Sequence, residues 1–221
     1  MTSAIESPYS SEQISAWLRG LLTIAWADGN FDAQEQQLIA SITQDELAPG
    51  ISWGSLEVIT PEDLAAVLGK GTPAAENFLR TAVMVAIADG TYSPSEDQLL
   101  QQFCSTLELQ EDVLAALRLT LEGKVPSQTL APHLPLPDPL SPMRDWLDGL
   151  DIQDPRVARF LCKMIPSQCP FARDITLFGR KIVHIPPLCK INPLYEQMVG
   201  LRFRALSYLA DECGEDISPY I

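Results

Sequence analysis

Apolar residues recur at Ile14, Trp17, Leu18, Leu21, Leu22 and Ala25, the spacing of one face of a helix. Ser10-Ser11-Glu12-Gln13, just before them, predicts a capping box with Ser10 as the cap and Gln13 as the returning side chain. Asp28-Gly29 predicts the stop. Asp32-Ala33-Gln34-Glu35 predicts a restart, with Leu38, Ile39 and Ile42 on the apolar face. The same device returns 61 residues later, where Ala88-Asp89-Gly90-Thr91-Tyr92-Ser93-Pro94-Ser95-Glu96 aligns with Ala27-Asp28-Gly29-Asn30-Phe31-Asp32-Ala33-Gln34-Glu35. Two copies of helix, glycine stop, aromatic plug and capped helix predict two helical hairpins related by an approximate two-fold.

Between the copies, Thr60-Pro61 and Thr72-Pro73 each place proline just after a capping hydroxyl. They predict a short helix ending near Gly69 and a longer one reaching Asp89. A last helix, about Gln110 to Glu122, ends at Gly123. Six prolines from Pro126 to Pro142 then predict an extended, semi-rigid spacer. The expected division is a helical domain over 1–123, a proline-rich linker over 124–140 and a second module over 141–221.

The second module reads differently. Ser141-Pro142 opens a short helix with Met143, Trp146 and Leu147 on one face. Asp154-Pro155 opens another with Val157, Ala158, Phe160, Leu161 and Cys162 apolar, ended by Pro166. Residues 174–185 are β-branched on both sides of Gly179-Arg180, which reads as a β-hairpin with a two-residue turn, or as a loop crossing the core. Asn192-Pro193 predicts the cap of a long helix reaching Cys213, with Leu194, Met198, Leu201, Ala205, Leu209 and Cys213 along one stripe and Gly214 as the stop. The expected fold class is therefore mainly α: an N-terminal all-α bundle plus a small α-rich C-terminal module that accommodates the β-hairpin.

Composition is that of a globular chain, 46% hydrophobic and 20% charged. No apolar run reaches the ~18 residues of a membrane span. The first residues lack the basic start and apolar stretch of a secretory signal, so a cytoplasmic chain with reduced thiols is expected. Five cysteines, an odd number, fit that expectation better than a disulfide framework. Charge is divided unevenly. Residues 1–140 hold 5 basic and 19 acidic side chains, whereas 156–204 hold nine basic ones and only Asp174 and Glu196. The acidic half argues against nucleic acid as partner. The basic centre suits an anionic ligand, a protein partner or the acidic half itself.

The Ala-Asp-Gly turns followed by an aromatic residue and a glutamate resemble the TerB-like tellurite-resistance family over roughly residues 11–123. That resemblance implies an all-helical domain and an acidic cluster for a divalent cation, which by position is Asp28, Glu35, Asp89 and Glu96. Read from the residues alone, an Asp at a helix end and a Glu at the third position of the next helix are also ordinary cap chemistry. Ser93 stands where the first copy has Asp32, so the two copies are not equivalent as ligands.

Residues 139–221 are similar to the family named as the C-terminal region of molybdenum-dependent nitrogenase. The resemblance is carried by Cys169-Pro170-Phe171-Ala172-Arg173-Asp174-Ile175, Ile185-Pro186-Pro187-Leu188-Cys189-Lys190, Asn192-Pro193-Leu194-Tyr195-Glu196, Leu201-Arg202-Phe203-Arg204-Ala205-Leu206 and Cys213-Gly214-Glu215-Asp216. It implies a cyanobacterial setting and a link to nitrogen or metal metabolism. The chain shows none of the cofactor-binding context of a nitrogenase subunit, so nitrogenase catalysis is not implied.

The candidate chemistry lies in four thiols, Cys162, Cys169, Cys189 and Cys213. Four thiolates suit a [4Fe–4S] cluster or an all-thiolate zinc site, and Cys169-Pro170 resembles the end of an iron–sulfur run. Arg173, Lys190, Arg202 and Arg204 could offset the charge of such a centre. The competing reading is plain buried thiols, because no close Cys-x-x-Cys pair exists. Cys104, on an apolar helix face, reads as core. Arg173, Arg180, Lys181, Lys190, Arg202 and Arg204 form a candidate partner surface, or else a solvated face with ion pairs to Asp174, Glu196, Glu215 and Asp216. With only His133 and His184 in the chain there is little support for Ser-His-Asp or Cys-His catalysis. The expectation is a non-catalytic accessory or assembly protein in metal, iron–sulfur or redox handling. The alternative is an acidic stress-response scaffold that binds a divalent cation and has structural cysteines.

Overall fold

The computed structural model of the chain describes residues 7–27, 58–87, 92–110, 112–121, 140–165, 173–177, 180–185 and 194–221. Helix starts follow the local chemistry of the sequence. In α1 (Ser11–Ala25) the Gln13 amide donates to Ser10 Oγ at 3.1 Å and the Ser10 amide donates to Gln13 Oε1 at 3.0 Å, the reciprocal box that the sequence predicts. Thr60 caps α2 (Pro61–Leu68) and Thr72 caps α3 (Pro73–Ala86), each with proline in the first turn. Ser93 and Glu96 form a second capping box at α4 (Pro94–Thr106). The chain continues through α5 (Asp112–Leu121), α6 (Ser141–Asp148) and α7 (Pro155–Met164), the last capped by Asp154.

The final helix, α8, runs from Tyr195 to Ser207 and continues as a π-helical turn over Tyr208–Glu212. Its cap position is Leu194, which offers no side-chain hydrogen bond. Start and end are thus less sharply specified than the sequence suggests, because Asn192 and Pro193 precede the cap position. Gly214 at φ +64° ends the element in the left-handed region, as its glycine predicts. A short 3-10 turn, Ser218–Tyr220, closes the chain.

Core packing corrects the expected fold class. The sequence predicts an N-terminal bundle and an α-rich C-terminal module with a possible β-hairpin, and does not say whether the two dock. One continuous hydrophobic cluster joins Ile14, Trp17, Phe78 and Phe103 to Met143, Val157, Leu161, Leu201 and Leu209. The helices of both halves share it because each has a single apolar stripe and buries it against the others. Among the described residues the body is mainly α-helical, with no strand in the described core, which corrects the β-hairpin of the expected fold class. The extended backbones Arg173–Leu177 (β1) and Arg180–Ile185 (β2) pair antiparallel with each other only, Ile175 opposite Val183, with a register shift after Ile175. The turn at 178–179 lies outside the described residues, as does the spacer over 124–139.

Two polar seams cross the shared core. Arg80 on α3 donates from Nε to the Trp146 carbonyl at 2.8 Å, and its guanidinium stands over the Trp146 ring, 5.3 Å from the centroid. Its remaining nitrogens hold Asn77 Oδ1 at 3.0 Å and Glu76 Oε1 at 2.7 Å, while Asn77 reaches the Tyr9 hydroxyl at 3.3 Å. In the second seam Asp154 accepts from Ser7 Oγ, which ties the start of the chain to α7.

An aromatic file runs through the centre. Tyr9, Trp17, Phe78 and Phe103 meet edge to face, with centroid separations of 5.3, 6.2 and 5.3 Å. Trp17 Nε1 donates to Thr81 Oγ1 at 2.9 Å, so the indole is buried without an unmet donor. The close approach of α1 to α3 requires Gly20, because a Cβ there would lie 2.6 Å from the Phe78 ring. Gly20→Ala should therefore destabilise the protein by ~1–3 kcal/mol despite the better helix propensity of alanine. Gly200, whose added Cβ would meet nothing within 4 Å, is the control. Gly200→Ala should leave stability equal or raise it by up to ~1 kcal/mol. Urea midpoints of the two variants against the parent chain check both signs.

Candidate functional site

The two described cysteines of the candidate site lie on α7 and just beyond the π turn of α8. Asp154 positions α7. Its carboxylate is fully buried and accepts from the Arg156 amide at 2.8 Å, from Arg156 Nη2 at 2.8 Å, and from Ser7 Oγ. Burial works to raise its pKa, but hydrogen bonds from Arg156 and Ser7 and the Arg156 charge together hold it below the usual carboxylate range.

Once α7 is fixed, it presents Arg159, Cys162 and Lys163 toward the end of the chain. Arg159 grips Glu215 in a fork, with Nε at 3.0 Å from both carboxylate oxygens and Nη2 at 2.7 Å from Oε2. The Tyr220 hydroxyl also reaches Glu215, at 3.3 Å. Arg202, only 7% exposed, donates to the carbonyls of Cys162 and Tyr220 and so links α7 to the last turn. Arg204 Nη1 donates to the carbonyls of Asp148 at 2.8 Å and Leu150 at 2.9 Å, holding the α6–α7 connection. Arg202 and Arg204, two of the four arginines of the predicted partner surface, thus make internal bonds to main-chain oxygens.

Cys162 is 4% exposed. Burial pushes its thiol up to about 11, with Arg202 as the opposing influence, so it is protonated at neutral pH. Burial likewise raises Cys213, against a hydrogen-bonding effect of Tyr208. The Tyr208 hydroxyl is itself buried with no well-formed hydrogen bond; burial and then the neighbouring Cys213 sulfur raise its pKa. Glu215 acts on both thiols, Arg202 on Cys162 alone, and Tyr208 and Arg159 on Cys213 alone. A cleft of about 400 Å³ opens at Glu215, lined by Arg159, Lys163, Glu215, Pro219 and Tyr220.

The other predicted site residues divide in two groups. Cys169, Cys189, Lys190, Asp28, Glu35 and Asp89 lie outside the described residues. Arg173, Arg180 and Lys181 lie on the paired strands, where only the backbone course is described. Glu96 is buried, and its Oε2 accepts from the Ser93 amide at 2.8 Å and from Ser93 Oγ at 2.7 Å. It is engaged as a cap. Cys104 is fully buried in the α4 core. Among the described residues no group of three or more His, Cys, Asp or Glu could hold a metal ion, and no helix is long and apolar enough to cross a membrane.

Arg159, Tyr208 and Tyr220 are not visible as site residues in the sequence. Arg159 and Glu215 lie 56 residues apart, and no local period connects them.

With that geometry in place, comparison with known proteins bears on the same part of the chain. Residues 139–221 match the family described as the Mo-dependent nitrogenase C-terminus. The match begins just before α6 and runs to the last residue, so it takes in α6, α7, α8 and the closing turn. The TerB-like resemblance of residues 11–123 finds no support in the comparisons. No curated protein and no solved structure is similar enough to be matched to the chain.

The buried carboxylate gives a test of the local frame. Its folded pKa is depressed, so its contribution is complete above the unfolded value of ~4 and fades as pH falls through the folded pKa. Stability should therefore drop on acidification below pH ~4, and Asp154→Asn should flatten that part of the profile. Asp154→Ala, which also removes the cap and leaves Arg156 without its partner, should cost ~2–4 kcal/mol at neutral pH. Denaturant midpoints as a function of pH measure both.

Proposed function

We propose that this is a non-catalytic accessory protein whose C-terminal region handles a metal or an iron–sulfur cluster through Cys162, Cys169, Cys189 and Cys213. The observation that supports it most is the side-by-side packing of α7 and α8. Ile165 at the end of α7 and Leu194 at the start of α8 are both buried in the same core. Cys169 and Cys189 lie in sequence between these two buried anchors. Four sulfur donors suit a soft metal centre. The family match over 139–221 adds a link to nitrogen or metal metabolism.

Charge and protonation set the condition for loading. A thiol raised to about 11 does not ligate as it stands, so metal entry would have to release its proton. Arg202 and Arg159 stand ready to balance the negative charge so created, Arg202 at Cys162 and Arg159 at Cys213. The proposal makes no use of acid–base catalysis. The role left to the remainder of the chain is to bind a protein partner.

The experiment is anaerobic purification with metal analysis and visible absorbance. About one cluster or one zinc ion per chain is expected, lost on Cys162→Ala and on Cys169→Ala. A colourless chain free of iron and zinc after anaerobic reconstitution would remove the proposal.

A further inference from the structure

We propose that the last eight residues, from Gly214 to Ile221, form a removable strap that covers Cys162 and controls access to it. This deepens the thiol reading above and rests on it for its purpose, though not for its test. The strap is attached differently from the rest of the fold. The helices are held by the continuous core, whereas the strap contributes only Ile217 and Tyr220, both partly buried, to that core. Ile221 is 80% exposed.

What fixes it is polar. Glu215 lies in the Arg159 fork, with the shortest contact 2.7 Å, and the Tyr220 carbonyl accepts from Arg202. Arg202 is shared between the strap and the Cys162 carbonyl, so the same guanidinium reports to the thiol's own backbone and to its cover. The Glu215–Amide backbone adds one more anchor, a bond from the Glu215 nitrogen to the Leu209 carbonyl at 2.8 Å. The charge of Glu215 acts on the Cys162 thiol, and Cys162 acts in turn on the Tyr220 hydroxyl.

Such an arrangement opens locally before the molecule unfolds. A segment held by a few partly exposed polar contacts and little buried apolar area lies at the low end of the range of local stabilities. Gly214 at φ +64°, where an added Cβ would meet nothing within 4 Å, is the hinge at its start. The open cleft between Arg159, Lys163 and Tyr220 lies along the line where the strap would separate from α7. Opening exchanges the internal carboxylate of Glu215 for solvent and uncovers Cys162 beside Arg159. A metal donor could then reach the thiol without disturbing α1 to α4.

The test is thiol labelling with a maleimide on the full chain, read residue by residue by mass spectrometry. Cys104, fully buried in α4, serves as the internal reporter of global unfolding. Glu215→Gln, and separately a chain ending at Asp216, should label Cys162 about tenfold faster than the parent chain while Cys104 stays protected. An unchanged Cys162 rate, or a rise that only keeps step with Cys104, overturns the strap. Faster labelling in a chain that never binds metal would keep the strap and remove the proposed function, so the two failures are distinguishable.

Discussion

A carboxylate with no exposure to solvent, Asp154, governs the part of the molecule on which the rest depends. A buried charge is costly unless its partners are close and well aimed. Asp154 meets that condition three ways at once: it caps the first turn of α7, pairs with the guanidinium of Arg156 and accepts from Ser7. The first interaction fixes where α7 starts, and so which residues face α8 and the chain end. The last brings the N-terminal segment against α7. One side chain thereby sets both the phase of the helix that carries Cys162 and the docking of residues at opposite ends of the sequence.

Arg80 does related work between the halves, joining α3 to α6 through the Trp146 ring and carbonyl. Polar seams of this kind add directionality to a core that would otherwise be held by non-directional burial. The aromatic file adds another constraint. Trp17 and Phe78 are separated by 61 residues, the offset of the sequence repeat, and they touch each other. Contact between equivalent positions is what an approximate two-fold between the copies produces. The symmetry is broken where α1 has Gly20 and α3 has Thr81, and that difference allows the Phe78 ring against one helix and the Trp17 hydrogen bond to the other.

Helix starts were legible in the sequence because caps are local: Ser10 with Gln13, Thr60, Thr72, Ser93 with Glu96, and Asp154 all act within three residues. The core positions of α7 and α8 followed from period alone, and Cys104 was readable as core for the same reason. The union of the two halves was not legible, because a proline-rich stretch between two helical segments looks the same whether or not the segments pack together. Nor was the Arg159–Glu215 fork, a pairing of distant charges that only tertiary structure decides. The paired strands illustrate a third limit. A β-branched alternation gives a backbone its extended course, but it does not say whether the pair is built into the core.

The formal charge of 156–204 left two readings open, a partner surface or side chains engaged in ion pairs, and the difference between them is physical. The basic excess over 156–204 suggests a positive surface, yet a charge shapes an external field only where it is not already neutralised or turned inward. Arg156 is committed to Asp154 and Arg159 to Glu215, while Arg202 and Arg204 donate to main-chain carbonyls. In the described body these arginines act as structural crosslinks between α6, α7, α8 and the strap. Guanidinium suits that use better than ammonium would, since its planar fork can serve two acceptors at once.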